Sequence, residues 1–210
     1  APGEAEMLNE VRYGRWSYLL TLLVVCISLS ACAGKAQKKA EEKKAAEQEK
    51  VMQTQERWRE IVVAEAERMG DAFRDGDEDL FISYLYPSFV EQVGGVEGAR
   101  AMMRGIAEEV GAAGGEIVTW TAERPTGEFI EYSGEIQIMI RSFMEMTIED
   151  VTVHNFHDLI GISKDGGKRW YFITTGDHNL DELREFFPNL SPELKFGRTK
   201  MELFSDPAET

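Results

Sequence analysis

Residues 135–148, EIQIMIRSFMEMTI, decide the fold of this chain. Ile136, Ile138, Ile140, Met144, Met146 and Ile148 fall on one parity, and a period of two places them on one face of a long strand. The opposite face carries Glu135, Gln137, Met139, Arg141, Phe143 and Glu145. One side of this strand therefore packs, while the other is mixed.

The same period continues on both sides of it. Downstream, residues 151–163 and 169–175 read as strands joined by residues 163–170, SKDGGKRW. That stretch fits the Asp-box pattern S-x-D-x-G-x-x-W of sialidase-type propellers. A propeller requires several blades of roughly fifty residues, each with its own strands, and this chain has a single box. The stretch is therefore a hairpin, with Asp165-Gly166-Gly167 supplying a permissive backbone and Trp170 returning apolar area to the sheet. Upstream, residues 116–122 and 128–132 read as two further strands.

Before the glycine-rich residues 111–115 the period changes to 3.6. Trp58, Ile61, Val62, Met69 and Phe73 mark a first amphipathic helix, which Asp75-Gly76-Asp77 closes. Leu80, Phe81, Tyr84 and Leu85 mark a short second helix that Pro87 is expected to break. Val96, Ala99, Met102, Met103, Ile106 and Val110 share one side of a third. A short helix over 181–187 follows the sheet, and residues 196–210 read as a tail. Three helices followed by an antiparallel sheet define an α+β class, with the helices packed on one face. The expected domain covers 56–195.

The N-terminal part has a different character. Arg12 and Arg15 precede the apolar run WSYLLTLLVVCISL over 16–29, a basic n-region followed by an h-region. The run is shorter than the ~20 residues a helix needs to cross a bilayer, so residues 1–31 are read as a cleaved signal peptide, with 1–6 an extended start call. Residues 29–32, LSAC, resemble a bacterial lipobox, which implies that Cys32 becomes the lipidated first residue. An ordinary signal peptide containing LSAC by chance is the alternative. Lipidation would tether the protein to a membrane, and Ala33 after the cysteine points to the outer membrane, facing the periplasm, of a Gram-negative cell. Residues 32–55 form a charged spacer rich in Ala, Glu, Lys and Gln, which favours a helix but gives it nothing to bury.

Residues 55–190, approximately, resemble the nuclear-transport-factor-2-like, or cystatin-like, superfamily. The resemblance rests on VVAEAERMGDAFRDGDEDLFISYLYPSFVEQVGG over 62–95 and the closing LIGISKDGGKRWYFITTG hairpin over 159–176. It implies a strongly curved sheet, a cone wrapped around the first helix, and it is closest to bacterial envelope lipoproteins with no established activity. It also implies, as an alternative, a small isomerase or dehydratase of ketosteroid-isomerase type acting on an apolar substrate, with His157 or Asp158 as base.

The residues themselves restrict that alternative. Positions i and i+3 on a strand point to opposite faces and i and i+4 lie about 13 Å apart, so His154, His157 and Asp158 form neither a metal site nor a dyad by local geometry. Tyr84, Tyr86, Trp120, Arg141 and Phe143 are candidates for a pocket or an interface, and the Met139–Arg141–Phe143 face for a homodimer. With 23 Lys and Arg against 38 Asp and Glu, a net charge of −15 and no basic patch, nucleic acid is not an expected partner. Both cysteines, Cys26 and Cys32, precede the domain, which therefore has no thiol for a disulfide or a metal. No cofactor is expected. The reading that emerges is a membrane-anchored envelope lipoprotein whose domain binds a small apolar ligand or an envelope protein without catalysis.

Overall fold

The computed structural model describes the backbone of residues 4–148, 151–176, 178–195 and 200–205, and side chains over 38–39, 41–148, 151–176 and 178–195. The chain divides into two units, Ala1–Gln53 and Thr54–Thr210. The first is helical, the beginning of α1 (Glu4–Arg74), and its described side chains are exposed. Cys32 lies outside the residues whose side chains are described. Among the described residues no helix is long and apolar enough to cross a membrane.

The second unit is α+β. The remainder of α1 is followed by α2 (Glu78–Tyr84), α3 (Pro87–Gln92) and α4 (Gly95–Ala112). Asp77 caps α2 by accepting a hydrogen bond from the Leu80 amide at 3.0 Å. Pro87 does more than end a helix. It occupies the first position of α3, where its missing N–H is no loss and its fixed φ suits the turn, so the expected three helices are four.

Among the described residues six antiparallel strands follow, namely β1 (Gly115–Ala122), β2 (Ile130–Tyr132), β3 (Glu135–Ile148), β4 (Val151–Ser163), β5 (Tyr171–Thr174) and β6 (Lys200–Ser205). The long pair β3 and β4 forms the spine, in register from Ile136 opposite Ser163 to Ile148 opposite Val151. Each spine strand offers its outer edge to two short strands. β1 pairs with residues 142–148 of β3 and β2 with 135–137, while β5 pairs with 159–162 of β4 and β6 with 151–156. Residues 200–205, read from sequence as part of a tail, thus belong to the sheet.

One sheet face packs on helices. Ile136, Ile138, Ile140, Leu159, Trp120 and Phe172 meet Val62, Ala66 and Met69 of α1, Phe81 of α2 and Met103 of α4 in a single apolar cluster. The hairpin of residues 163–170 is fastened to the same helix. Trp170 is fully buried, its amide donates to Glu65 Oε2 at 2.8 Å, and Gly167, at φ +81°, lies so close to Trp58 that a Cβ would fall 2.0 Å from the indole nitrogen. Asp165 Oδ1 accepts from the Lys168 and Arg169 amides, both at 3.0 Å, which closes the turn.

The opposite face differs from the mixed surface expected. Near the hairpin it is covered by α5 (Leu180–Phe186) and the chain after it, with Leu183, Phe187, Leu190 and Leu194 packed on Ile160, Ile162 and Ile173. Gln137 is fully buried beneath this cover. Its Nε2 donates to the Asn189 carbonyl at 2.7 Å, and its Oε1 accepts from the Ser191 amide at 2.9 Å. A polar residue on the second face is buried because its amide satisfies an irregular segment that has no ladder of its own.

Candidate functional site

At the end of the helical face away from the hairpin, the apolar cluster opens into a cavity of about 410 Å³. Phe73 of α1, Phe81 of α2, Met102 and Ile106 of α4, Trp120 of β1, Met144 of β3 and Phe172 of β5 contribute its apolar wall. Asn155 and His157 of β4, with Thr174 of β5, contribute its polar part. Asn155 and His157 are the pair within β4. They sit two residues apart on one strand, so both face the helices, opposite Met144 and Ser142 of β3. None of the lining residues is an Asp, Glu, Lys or Arg.

Trp120 and His157 form the floor contact, with ring centroids 4.9 Å apart and planes at 83°. The indole reaches this place because Gly70 on α1 has no side chain, a Cβ there falling 2.1 Å from Trp120 Cγ. Trp120 Nε1, Asn155 Oδ1 and His157 Nδ1 are each shut off from solvent, and none has a hydrogen-bond partner. Leaving such atoms unpaired costs about 1–3 kcal/mol each. Burial pushes the His157 imidazole down to about 4, the nearby Asn155 backbone opposing it more weakly, so the ring is neutral at pH 7.

No family model, curated protein or solved structure matches the chain.

Its function is therefore argued from this geometry. Of the residues singled out from sequence, Trp120 and His157 meet at the cavity. Asp158 points to the other face, directly across from Arg141 in the β3–β4 register. His157 and Asp158 therefore share no site, as strand parity requires. Arg141 and Phe143 share that second face, where the Arg141 guanidinium lies 5.5 Å from the Phe156 ring centroid and Phe143 lies 5.1 Å from Phe156 and 5.0 Å from His154. His154 Nε2 is 3.3 Å from Glu145 Oε2.

The two tyrosines also separate. Tyr84 packs on the helical cluster, its ring 6.3 Å from Phe172, without lining the cavity. Tyr86 is buried under the C-terminal cover, where its hydroxyl donates to Glu135 Oε1 at 2.9 Å and Lys164 Nζ lies 4.6 Å from its ring centroid. Burial, then the Glu135 carboxylate, raises the Tyr86 phenol above its ordinary value. This arrangement holds structure together; both polar groups are satisfied. Sequence reasoning missed Asn155, whose signal is its shared parity with His157. Among the described residues no group of three His, Cys, Asp or Glu could hold a metal ion.

A second cleft of about 590 Å³ lies between the α1 end, α4 and β1. Its one cation, Arg74, is engaged by Asp71 at 2.8 Å and Asp75 at 2.9 Å, and no unpaired buried polar atom borders it. Of these two clefts, the Asn155–His157 cavity is the one bordered by unpaired buried polar atoms.

Proposed function

We propose that this domain is a binding module that takes a small, mainly apolar molecule into the cavity above Asn155 and His157. The observation that carries this reading is the coincidence of an open apolar cavity with buried polar atoms that have no partner in the protein. Binding is favoured over chemistry because no carboxylate lines the cavity, and an imidazole titrating near 4 is a weak base at neutral pH. The isomerase or dehydratase reading survives only in a form that uses His157, since Asp158 faces away.

The same proposal includes the setting. The n-region, the h-region and LSAC over 29–32 support a lipid anchor at Cys32, hence an envelope protein held at a membrane, at the outer membrane facing the periplasm in a Gram-negative cell. The order of a long helix, short helices and antiparallel strands, with helices on one sheet face, supports a cystatin-like, nuclear-transport-factor-2-like domain. An envelope-protein partner and a homodimer through the Arg141–Phe143 face are further parts of this reading; sedimentation of a monomer at high concentration would remove the dimer.

The binding test uses an uncharged fluorescent probe, N-phenyl-1-naphthylamine. Its emission should rise on adding the protein and fall back when Met144→Trp fills the cavity. An unchanged signal in a folded Met144→Trp protein would place binding elsewhere. Labelling by a fatty-acid analogue should be lost in Cys32→Ala, and unchanged labelling contradicts the anchor.

A further inference from the structure

The cavity wall also restricts what its ligand can be, and this step rests on the binding reading above. With no Asp, Glu, Lys or Arg among the lining residues and His157 neutral, a charged ligand would lose its hydration without gaining a counter-ion. The ligand is therefore uncharged. Six of the lining side chains are rings, Phe73, Phe81, Phe89, Trp120, His157 and Phe172, joined by the adaptable thioethers of Met102 and Met144. Such walls suit a flat hydrocarbon body. At interior packing density, 410 Å³ corresponds to about 300 Å³ of molecule.

The polar pair narrows the head group. An Asn amide offers a donor and an acceptor, and so does a neutral imidazole, whose tautomer can adjust to its partner. A carbonyl only accepts and would leave Asn155 Oδ1 unpaired; an ammonium only donates. A hydroxyl does both. Asn155 Oδ1 and His157 Nδ1 are shut off in the unliganded arrangement, but both side chains end in a broad, two-fold χ2 torsion, so a half turn exchanges which atom meets the cavity. We infer that the cavity binds an uncharged, flat, hydroxyl-bearing molecule, an alcohol or phenol, whose hydroxyl is read by Asn155 and His157.

The experiment compares 2-naphthol, naphthalene and 2-naphthoate binding to the full chain at pH 7, followed by the ¹H–¹⁵N resonance of the Trp120 indole and by displacement of N-phenyl-1-naphthylamine. The naphthol should bind about tenfold tighter than the hydrocarbon, the return expected for a hydrogen bond made to an otherwise unpaired buried group, and the carboxylate should bind weakest. Asn155→Leu should bring the ratio of naphthol to naphthalene affinity, both measured on the variant, down to about one. His157→Phe is the second variant, should Asn155→Leu fail to fold. Equal binding of naphthol and naphthalene, or tightest binding of naphthoate, overturns the hydroxyl inference and leaves the binding module standing. Failure of all three probes and of N-phenyl-1-naphthylamine on folded protein overturns both.

Discussion

His157 gives a pH dependence whose size and sign follow from its burial. In an unfolded chain the imidazole titrates near 6.5, and in the folded protein burial pushes it down to about 4. The folded state thus resists a proton that the unfolded state accepts, so folding stability is complete above about pH 6.5 and falls as the pH drops toward 4. Each pH unit between the two values is worth about 1.4 kcal/mol, giving a loss of about 3 kcal/mol by pH 4. No carboxylate lines the cavity to offset it. Other groups titrate over the same range, among them Glu65, which burial raises above its ordinary value while the Trp170 amide partly opposes the shift. Comparison with His157→Phe removes these shared contributions. Urea unfolding of both proteins at pH 4, 5, 6 and 7 should show a difference that changes by about 3 kcal/mol in favour of the variant on acidification. A ring titration near 6.5 by NMR, or a pH-independent difference, would refute the argument that burial holds the His157 ring neutral.

Two substitutions test the packing around the site. Gly70→Ala should destabilise the protein by about 1–3 kcal/mol and shift Trp120 fluorescence, because the new Cβ meets the indole at 2.1 Å; Gly105→Ala in α4, where nothing lies within 4 Å, should instead stabilise by about 1 kcal/mol through helix propensity. Equal effects in thermal or urea unfolding would contradict the proposed Trp120 position. Gln137→Leu should cost about 2–4 kcal/mol by leaving the Ser191 amide and the Asn189 carbonyl unpaired. Hydrogen exchange should accelerate at Ser191 first, and a uniform change across the sheet would argue against a local fastening.

The spine of the sheet was legible in the sequence because residues 135–148 and 151–163 obey a strict period and SKDGGKRW permits little but a tight turn between strands. The helix beginning at Pro87 was not, because a proline that ends one helix can start the next, and the choice depends on Tyr86 docking beside β5, where its amide donates to the Phe172 carbonyl at 3.0 Å. The C-terminal cover was hidden for a related reason. PNLSPELK has no periodicity of its own, and its backbone is satisfied partly from outside, by Gln137, a residue some fifty positions away whose local pattern marked it only as the polar face of a strand.

The site was half legible, and the obstacle lies in β4. Its odd positions run Val153, Asn155, His157, Leu159 and Gly161; its even positions run His154, Phe156, Asp158, Ile160 and Ile162. Both registers are mixed at the start and apolar toward the hairpin, as expected of a strand covered on two faces at one end, so parity separates His157 from Asp158 without saying which one meets the helices. The register to β3 decides it, because Ile140 and Met144 face the helical cluster and stand opposite Leu159 and Asn155. Once that face is assigned, Asn155-x-His157 becomes a polar interruption in a row whose neighbours are core. The same Phe, Met and Trp residues can fill a core or line a cavity, and the difference arises from spacing between α4 and the sheet. Ile106 shows that spacing: it lies on the apolar side of α4, lines the cavity and is still 42% exposed, where closure would have buried it.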